Sequence, residues 1–155
     1  MVDEPAKRFE MTRGRRVLNA ALSGFVKYGM CPPDTYLLTT RGRRTGFLRT
    51  VPINLVDNDD GRFLVAPYGE VDWVHNIRRD GFATLRQGGW IELVSVRELE
   101  AEEAGPVLRD YVDHPRALVM APYFDAPPDA PGEAFAAEAD RHPVFEIVRS
   151  TTVRI

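Results

Sequence analysis

Residues 35–56 read TYLLTTRGRRTGFLRTVPINLV, and this stretch decides the fold. Its first part, Thr35–Thr40, is rich in β-branched and aromatic side chains, which favour a strand. Gly42–Gly46 is bounded by glycines and predicts a turn, and Leu48–Val56 is again apolar and β-branched. Two such runs joined by a short glycine-containing loop predict an antiparallel hairpin.

The rest of the chain continues this strand-and-turn pattern. Further strands are predicted at Arg62–Pro67 (after a hairpin loop at Asp57–Gly61), Ala83–Gln87, Trp90–Glu98 and Val144–Val153. Helices are predicted at about 9–30, at Asp72–Arg79 with Asp72 near the N-cap, at Glu100–Tyr111 despite Pro106, and at Pro131–Ala139, while residues 112–132 are Pro-rich and predicted to be irregular. Short connections make the strands mostly antiparallel. The sequence therefore predicts an α+β fold, a small antiparallel β-barrel with helices packed outside.

Length and composition fit one globular domain covering residues 1–155, with an N-terminal helix at about 9–30. No apolar run approaches the roughly 18 residues that cross a bilayer. The single cysteine, Cys31, suits a reducing compartment, so a cytoplasmic protein is expected. Residues 1–49 hold ten Lys/Arg and four Asp/Glu, whereas residues 50–155 hold ten and nineteen. A basic block of this kind is typical of a solvated face or of a site for an anionic ligand.

The sequence lacks the usual motifs of catalysis by side chains alone. Its one cysteine and three histidines lie far apart, so no metal site is expected. It has no P-loop and no G-x-G-x-x-G after a strand, and neither Ser23 nor Ser95 sits in a nucleophile elbow. If the protein is an enzyme, we expect a bound cofactor to carry the chemistry.

The predicted turn is the first candidate binding element. Arg43, Arg44 and Arg49 can each donate forked, charge-assisted hydrogen bonds, and the Thr45 hydroxyl and local backbone amides can complete an anion nest. The alternative, on charge alone, is a solvated hairpin tip.

A second candidate element covers residues 65–76, where a strand runs into Pro67-Tyr68 and a helix opens. Trp73 and Asn76 are three residues apart and share a helix face, which suits a flat ring with a polar edge. The alternative places Trp73 in the core and makes Asn76 a cap or surface residue. His75 is interpreted as a structural hydrogen-bonding residue rather than a base.

These elements together resemble a known family. LLTTxGRRTG at residues 37–46, Arg49-Thr50-x-Pro52, Val65-Ala66 and Trp73-x-His75-Asn76 follow in the order seen in the deazaflavin (F420)-dependent nitroreductases. The resemblance spans about residues 10–150. It implies a split β-barrel of the FMN-binding-protein kind that uses coenzyme F420, an 8-hydroxy-5-deazaflavin, as hydride donor to a nitroaromatic, a quinone or a conjugated enone.

The resemblance also implies residue roles. Arg43, Arg44, Thr45 and Arg49 would hold the phosphate and acidic tail of the cofactor. The remaining cofactor contacts would be Thr50, Val51, Pro52 and Ile53 on one strand, Val65, Ala66, Pro67 and Tyr68 after the next, and Asp72, Trp73, Val74, His75 and Asn76 on the short helix.

The chain departs from the best-studied nitroreductases in two places. Its loop between Ala66 and Trp73 is shorter, and their tyrosine-rich acceptor pocket is not reproduced. Tyr68, Tyr111 and Tyr123 are the candidate proton donors. Two alternatives stay open: an FMN-dependent oxidoreductase on the same barrel, and a non-catalytic protein that binds a deazaflavin or another small ligand.

The expected partner is a small-molecule electron acceptor. Nucleic acid is not expected, because the basic block lacks interleaved aromatic residues. The helix at 9–30 is expected to pack on the barrel rather than lie on a membrane surface. A monomer or a homodimer is compatible with the sequence, and residues 112–132 remain a candidate lid.

Overall fold

The computed structural model describes residues 34–114 and 120–155, and it contains the predicted hairpin. Strand β1 spans Thr35–Arg41 and pairs antiparallel with β2, Leu48–Asn58. Arg41 lies opposite Leu48, so the pairing ends at the glycine turn. The predicted helix at about 9–30 and Cys31 lie outside the described residues.

The second hairpin is tighter than predicted. Strand pairing continues through Asn58, which lies opposite Gly61, the first residue of β3 (Gly61–Val65). The predicted loop Asp57–Gly61 is therefore too long, and a two-residue turn makes the connection. The backbone N–H of Asp60 donates to the Asn58 side-chain oxygen at 2.9 Å, a local bond that stabilises such turns. β3 also ends two residues earlier than predicted.

Three further strands close the sheet into a barrel. They are β4 (Phe82–Gln87), β5 (Trp90–Glu98) and β6 (Val144–Arg154). The strand order is β1-β2-β3-β6-β5-β4, β4 pairs back to β1, and every pairing is antiparallel. A register shift between Ser95 and Val96 breaks the β5–β6 ladder. The expected α+β split β-barrel is confirmed.

Helix α1 spans Asp72–Asp80 and leads from β3 to β4. It ends at Gly81, whose φ of 74° lies in the left-handed region that glycine favours. The N-cap position is Val71, so Asp72 is the first helical residue and its carboxylate does not cap the helix. This frees the Asp72 carboxylate for a contact outside α1.

Helices α2 (Ala101–Asp113) and α3 (Gly132–Ala136) pack together beside the barrel. Pro106 does not interrupt α2. A Cβ on Gly105 would overlap the carbonyl oxygen of Gly132, so the two backbones approach closely at this point. The predicted helix Pro131–Ala139 is instead α3 followed by a 3-10 helix, Ala139–Arg141. Within the described ranges, no helix has the length and apolar character needed to cross a membrane.

Two apolar cores result from the alternation of side chains along the strands. On β3, Leu64 faces into the barrel while Phe63 and Val65 face the helices. The barrel core comprises Leu38, Leu55, Leu64, Ala66, Trp73, Val74, Ile77, Ala83, Leu85, Val94 and Phe145. The helix-side core comprises Val56, Phe63, Val65, Ala104, Val107, Leu108, Tyr111, Val112, Tyr123, Phe124, Ala126, Ala130, Phe135, Ala139 and Val144.

Candidate functional site

The arginine turn, residues 42–47, is closed by its own backbone. Gly42 N–H donates to the Phe47 oxygen and Gly46 N–H to the Gly42 oxygen, both at 2.8 Å. A Cβ on Gly42 would lie 2.9 Å from Thr45 Oγ1 and 3.1 Å from the Phe47 oxygen, and Gly46 has a φ of 74°. Both positions therefore favour glycine, and the backbone of the turn is closed by hydrogen bonds within the protein.

Arg43 is the anchored arginine of this turn. Its backbone N–H donates to Asn76 Oδ1 at 3.1 Å, and its Nη1 donates to the same oxygen at 3.4 Å. Nη1 also lies 3.1 Å from Asp72 Oδ1, which makes an ion pair. Asn76 donates from Nδ2 to Thr40 Oγ1 at 3.1 Å. A single asparagine, 1% exposed, thus ties α1 to both the turn and β1.

Arg44 and Arg49 are exposed and make no such contacts. Neither guanidinium has a hydrogen-bond or ion-pair partner among residues 34–114 and 120–155. Thr45 is also exposed, and its hydroxyl accepts the Phe47 N–H at 3.3 Å. Two guanidinium groups that have no partner in the described part of the chain, beside a preformed turn, suit an anionic ligand.

The neighbouring part of β2 has one open edge. Residues 48–54 pair with β1, whereas the pairing with β3 begins only at Leu55. Across the described ranges, no strand occupies the second edge of β2 before that residue. The half-buried Val51 and Ile53 pack against the barrel core. Thr50 and Pro52 alternate to the other face, where the Thr50 hydroxyl lies 2.8 Å from that of Thr39.

Helix α1 turns its predicted ligand face toward the protein interior. Trp73 is 8% exposed, and its ring centroid lies 5.9 Å from that of Phe145 in the barrel core. Val74 is fully buried beside it. Asn76 is neither a cap nor a surface residue, because its amide is committed to Thr40 and the turn. His75 is half-buried.

The three tyrosines proposed as proton donors meet at the helix-side core. The rings of Tyr68 and Tyr123 pack edge to face with centroids 5.0 Å apart. Tyr111 is 6% exposed, and burial raises its pKa, with a smaller contribution from Tyr68. Tyr68 is half-buried and follows the end of β3, while the other two rings are buried.

His142, to which the sequence assigned no role, braces the end of β3. Its Nδ1 donates to the Pro67 oxygen at 2.9 Å, and its Nε2 lies 3.1 Å from Glu138 Oε1. The Glu138 carboxylate also accepts the backbone N–H groups of Asp125 and Ala126, at 3.0 and 2.9 Å. Burial lowers the pKa of His142, an effect that the Pro67 carbonyl and Glu138 oppose. The four-residue spacing of Glu138 and His142 is the signal that could have indicated this pair.

The far end of β2 has the opposite charge. A cleft of about 470 Å³ opens there, lined by Asp34, Asn54, Leu55, Val56, Asp57, Asn58, Asp110, Tyr111, Asp113 and His114. Its aspartates make it unsuited to an anion. In the part of the chain that the structure describes, no cluster of three or more His, Cys, Asp or Glu side chains could hold a metal ion.

The structure therefore brings most of the predicted residues together around one end of the barrel. Arg43, Asp72 and Asn76 are in direct contact. Val51, Ile53, Ala66, Trp73 and Val74 share the barrel core. Val65 and Tyr68 belong to the helix-side core, with Pro67 held by His142. Tyr111 differs from Tyr68 and Tyr123 in that it also lines the acidic cleft.

The comparison with protein families gives one match. A family profile described as F420H(2)-dependent quinone reductase matches residues 11–119. No curated protein sequence matches the chain significantly.

Solved structures share the fold. A NimC/NimA family protein from Clostridium acetobutylicum is 11% identical, with 88% of this chain and 87% of that chain covered and a TM-score of 0.51. A structure described as an F420-H2 dependent reductase (FDR-A) is 22% identical, with 74% and 94% covered and a TM-score of 0.50. A third, described as a domain-swapped dimer, is 20% identical, with 87% and 93% covered and a TM-score of 0.52. At these identities the structural matches show a common fold alone.

Proposed function

Since the chain belongs to the F420H2-dependent quinone reductase family, and is therefore an oxidoreductase that uses coenzyme F420, we propose that it reduces a quinone, a nitroaromatic or a conjugated enone. The observation that carries the proposal is that two arginines without a partner among the described residues lie beside a segment of β2 whose second edge no described strand occupies. Such a site offers charge for an acidic tail and an apolar, partly exposed strand for a flat ring.

The chain's own residues fit such a cofactor. The conformation of the arginine turn is stabilised by backbone hydrogen bonds of Gly42 and Gly46 and by the hydrogen bond from Arg43 N–H to Asn76. We assign Arg44 and Arg49 to the phosphate and acidic tail, because both residues are exposed and a guanidinium group can donate forked hydrogen bonds.

The ring-binding part of the proposal uses β2 and the chain after β3. Val51 and Ile53 offer half-buried apolar side chains on a segment of β2 whose second edge is not paired with any described strand. Ala66, Pro67 and Tyr68 would border the same space from the end of β3. Trp73, being in the barrel core, would support this wall from behind rather than lie on the ring.

When bound in its reduced form, a 5-deazaflavin supplies a hydride. The protein's tasks are to orient the reactants, to limit water and to provide a proton to the acceptor. We assign the role of proton donor to Tyr68, which is half-buried and lies three residues after the end of β3. Tyr111 is a weaker candidate, because its buried phenol has a raised pKa and no exposed face.

The test is a side-by-side titration of the purified protein with oxidised F420 and with FMN, followed by turnover assays. We expect F420 to bind, more weakly as salt rises because charge-assisted contacts are screened. Reduced F420 should then be oxidised by at least one of a naphthoquinone, a nitrobenzene and a cyclohexenone. Preferential binding of FMN, or F420 binding without turnover of any acceptor, would contradict the proposal.

A matched pair of variants ties the titration to the site. Arg49→Ala removes a guanidinium next to the arginine turn, whereas Arg149→Ala removes an equally exposed one from β6. We expect only the first to weaken F420 binding. Equal losses in both variants would mean that general charge, not the turn, binds the ligand.

We further propose a cytoplasmic monomer or homodimer. The lone cysteine is compatible with a reducing compartment, and one structure of the same fold is described as a domain-swapped dimer. Light scattering on the eluting protein would give the number of chains.

A further inference from the structure

Arg43 has two side-chain partners of different kinds. Asn76 is neutral, 1% exposed, and holds the backbone N–H of Arg43 as well as its guanidinium. The Asp72 side chain carries a charge, is 86% exposed, and contacts the guanidinium alone. The two contacts are therefore separable, because loss of the carboxylate leaves Arg43 attached to α1 through the amide.

We propose that Asp72 competes with an anionic ligand for the guanidinium of Arg43 and thereby limits the affinity of the arginine turn for that ligand. Its carboxylate accepts a hydrogen bond, at 3.1 Å, from the donor Nη1 that a phosphate or carboxylate oxygen of a ligand would otherwise use. The inference rests on the proposed function in one respect: the ligand it concerns is the acidic tail of F420.

The contact between Arg43 and Asp72 is well suited to displacement. An ion pair with one partner exposed to this degree is weak and is screened by salt. Arg44 and Arg49 lie close by in sequence and have no partners of their own within the described residues. A ligand with several negative charges can therefore engage those two groups first and replace the carboxylate at Arg43 in the same event.

Displacement also selects by charge. A singly charged anion exchanges one carboxylate for another at Arg43 and gains little, because the negative charge of Asp72 stays nearby and repels it. A phosphate with an adjoining acidic tail is repelled more strongly by Asp72, but it gains contacts at three arginines, and those contacts outweigh the repulsion. A multiply charged anion is therefore the kind of ligand that can displace Asp72 from Arg43, whereas a simple carboxylate cannot.

The test compares wild-type protein with Asp72→Asn by titrating oxidised F420 and following its fluorescence. Asparagine keeps the shape of the side chain and removes its charge. Because exposed ion pairs are weak, we expect binding to tighten by roughly two- to fivefold. The control is Asp57→Asn, which removes another exposed carboxylate, 3.9 Å from Arg62 at the far end of β2, and should leave binding unchanged.

A double-variant cycle distinguishes competition at Arg43 from a general loss of negative charge. In an Arg43→Ala background the Asp72→Asn change should no longer tighten binding, because the contested guanidinium is gone. Tightening of the same size in both backgrounds would overturn the proposal. So would unchanged or weaker binding by Asp72→Asn, which is the result that a purely structural role of Asp72 at the first turn of α1 gives.

A second probe keeps this result separate from the proposed function. The same variants are titrated with pyrophosphate and with acetate. Pyrophosphate should bind the wild-type protein more tightly than acetate does, and Asp72→Asn should tighten the binding of pyrophosphate. If pyrophosphate binds in this way but F420 does not, the proposed function fails and the role of Asp72 stands. If neither F420 nor pyrophosphate binds the wild-type protein, Arg43 is not part of an anion site and the proposal is wrong.

Discussion

Asn76→Ala should destabilise the protein through the arginine turn. The change removes two hydrogen bonds of 3.1 Å, to Arg43 N–H and Thr40 Oγ1, and a weaker one to Arg43 Nη1 at 3.4 Å. Thr40 is 3% exposed, so its hydroxyl loses a partner where water does not replace it easily. At about 1 kcal/mol for each bond, with an added cost for the buried group left unpaired, unfolding should become easier by about 2–4 kcal/mol. For a chain of this length, the melting temperature should fall by roughly 4–16 °C.

The assay is thermal unfolding followed by circular dichroism, with Asn58→Ala as the matched control. Asn58 also makes two hydrogen bonds, to Asp110 at 2.8 Å and from Asp60 N–H at 2.9 Å, but in an exposed turn where water substitutes for them. Its loss should therefore cost less than about 1 kcal/mol. Equal melting temperatures for the two variants would refute the reasoning, because they would show that burial of the Asn76 contacts adds nothing.

Three more outcomes are expected. Arg44→Ala should weaken F420 binding, measured by isothermal titration, by about 1.5–3 kcal/mol. Arg154→Ala, at the end of β6, should leave the binding free energy almost unchanged. Equal losses in the two variants would mean that the turn is only a solvated hairpin tip. Trp73→Ala should lower the free energy of unfolding in urea by about 3–5 kcal/mol, because the ring is buried, and a loss below about 1 kcal/mol would contradict its place in the core. Burial lowers the pKa of His142, so the unfolded chain binds its proton more readily, and stability should fall as pH drops below about 6.5. His142→Gln should flatten this slope between pH 7 and pH 5, and an unchanged slope would assign the loss to other groups.

The strand framework was predictable because its signals are local. The turn at Gly42–Gly46 and the start of β2 at Leu48 follow from glycine placement and β-branched runs, and the structure confirms both. The second hairpin was misjudged because Asp and Asn are typical of loops. Here the residue at position 58 keeps its backbone in the strand and uses its side chain to close the turn.

The sequence could not predict which arginine of the turn is bound by α1. Arg43 and Arg44 are neighbours with the same chemistry, yet among the described residues Arg43 is held by Asn76 and Asp72 whereas Arg44 has no partner. The difference comes from α1, whose contacts with Arg43 reach across 29 and 33 residues of the chain. The same holds for Trp73, since the three-residue spacing to Asn76 identifies a shared helix face but does not say whether that face meets a ligand or the barrel core.

The charge asymmetry of the sequence also takes on a more specific meaning. The basic part ends at Arg49, near the start of β2, and the acidic cleft includes Asp57, near its end. Eight residues of strand separate them by roughly 26 Å, at about 3.3 Å per residue. This distance exceeds the Debye length of about 8 Å at physiological ionic strength, so the charges at one end of β2 have little effect on a ligand at the other end. The net charge of −3 therefore does not oppose capture of an anion at the arginine turn. The negative charge that matters there is the nearest one, the carboxylate that already lies 3.1 Å from the Arg43 guanidinium.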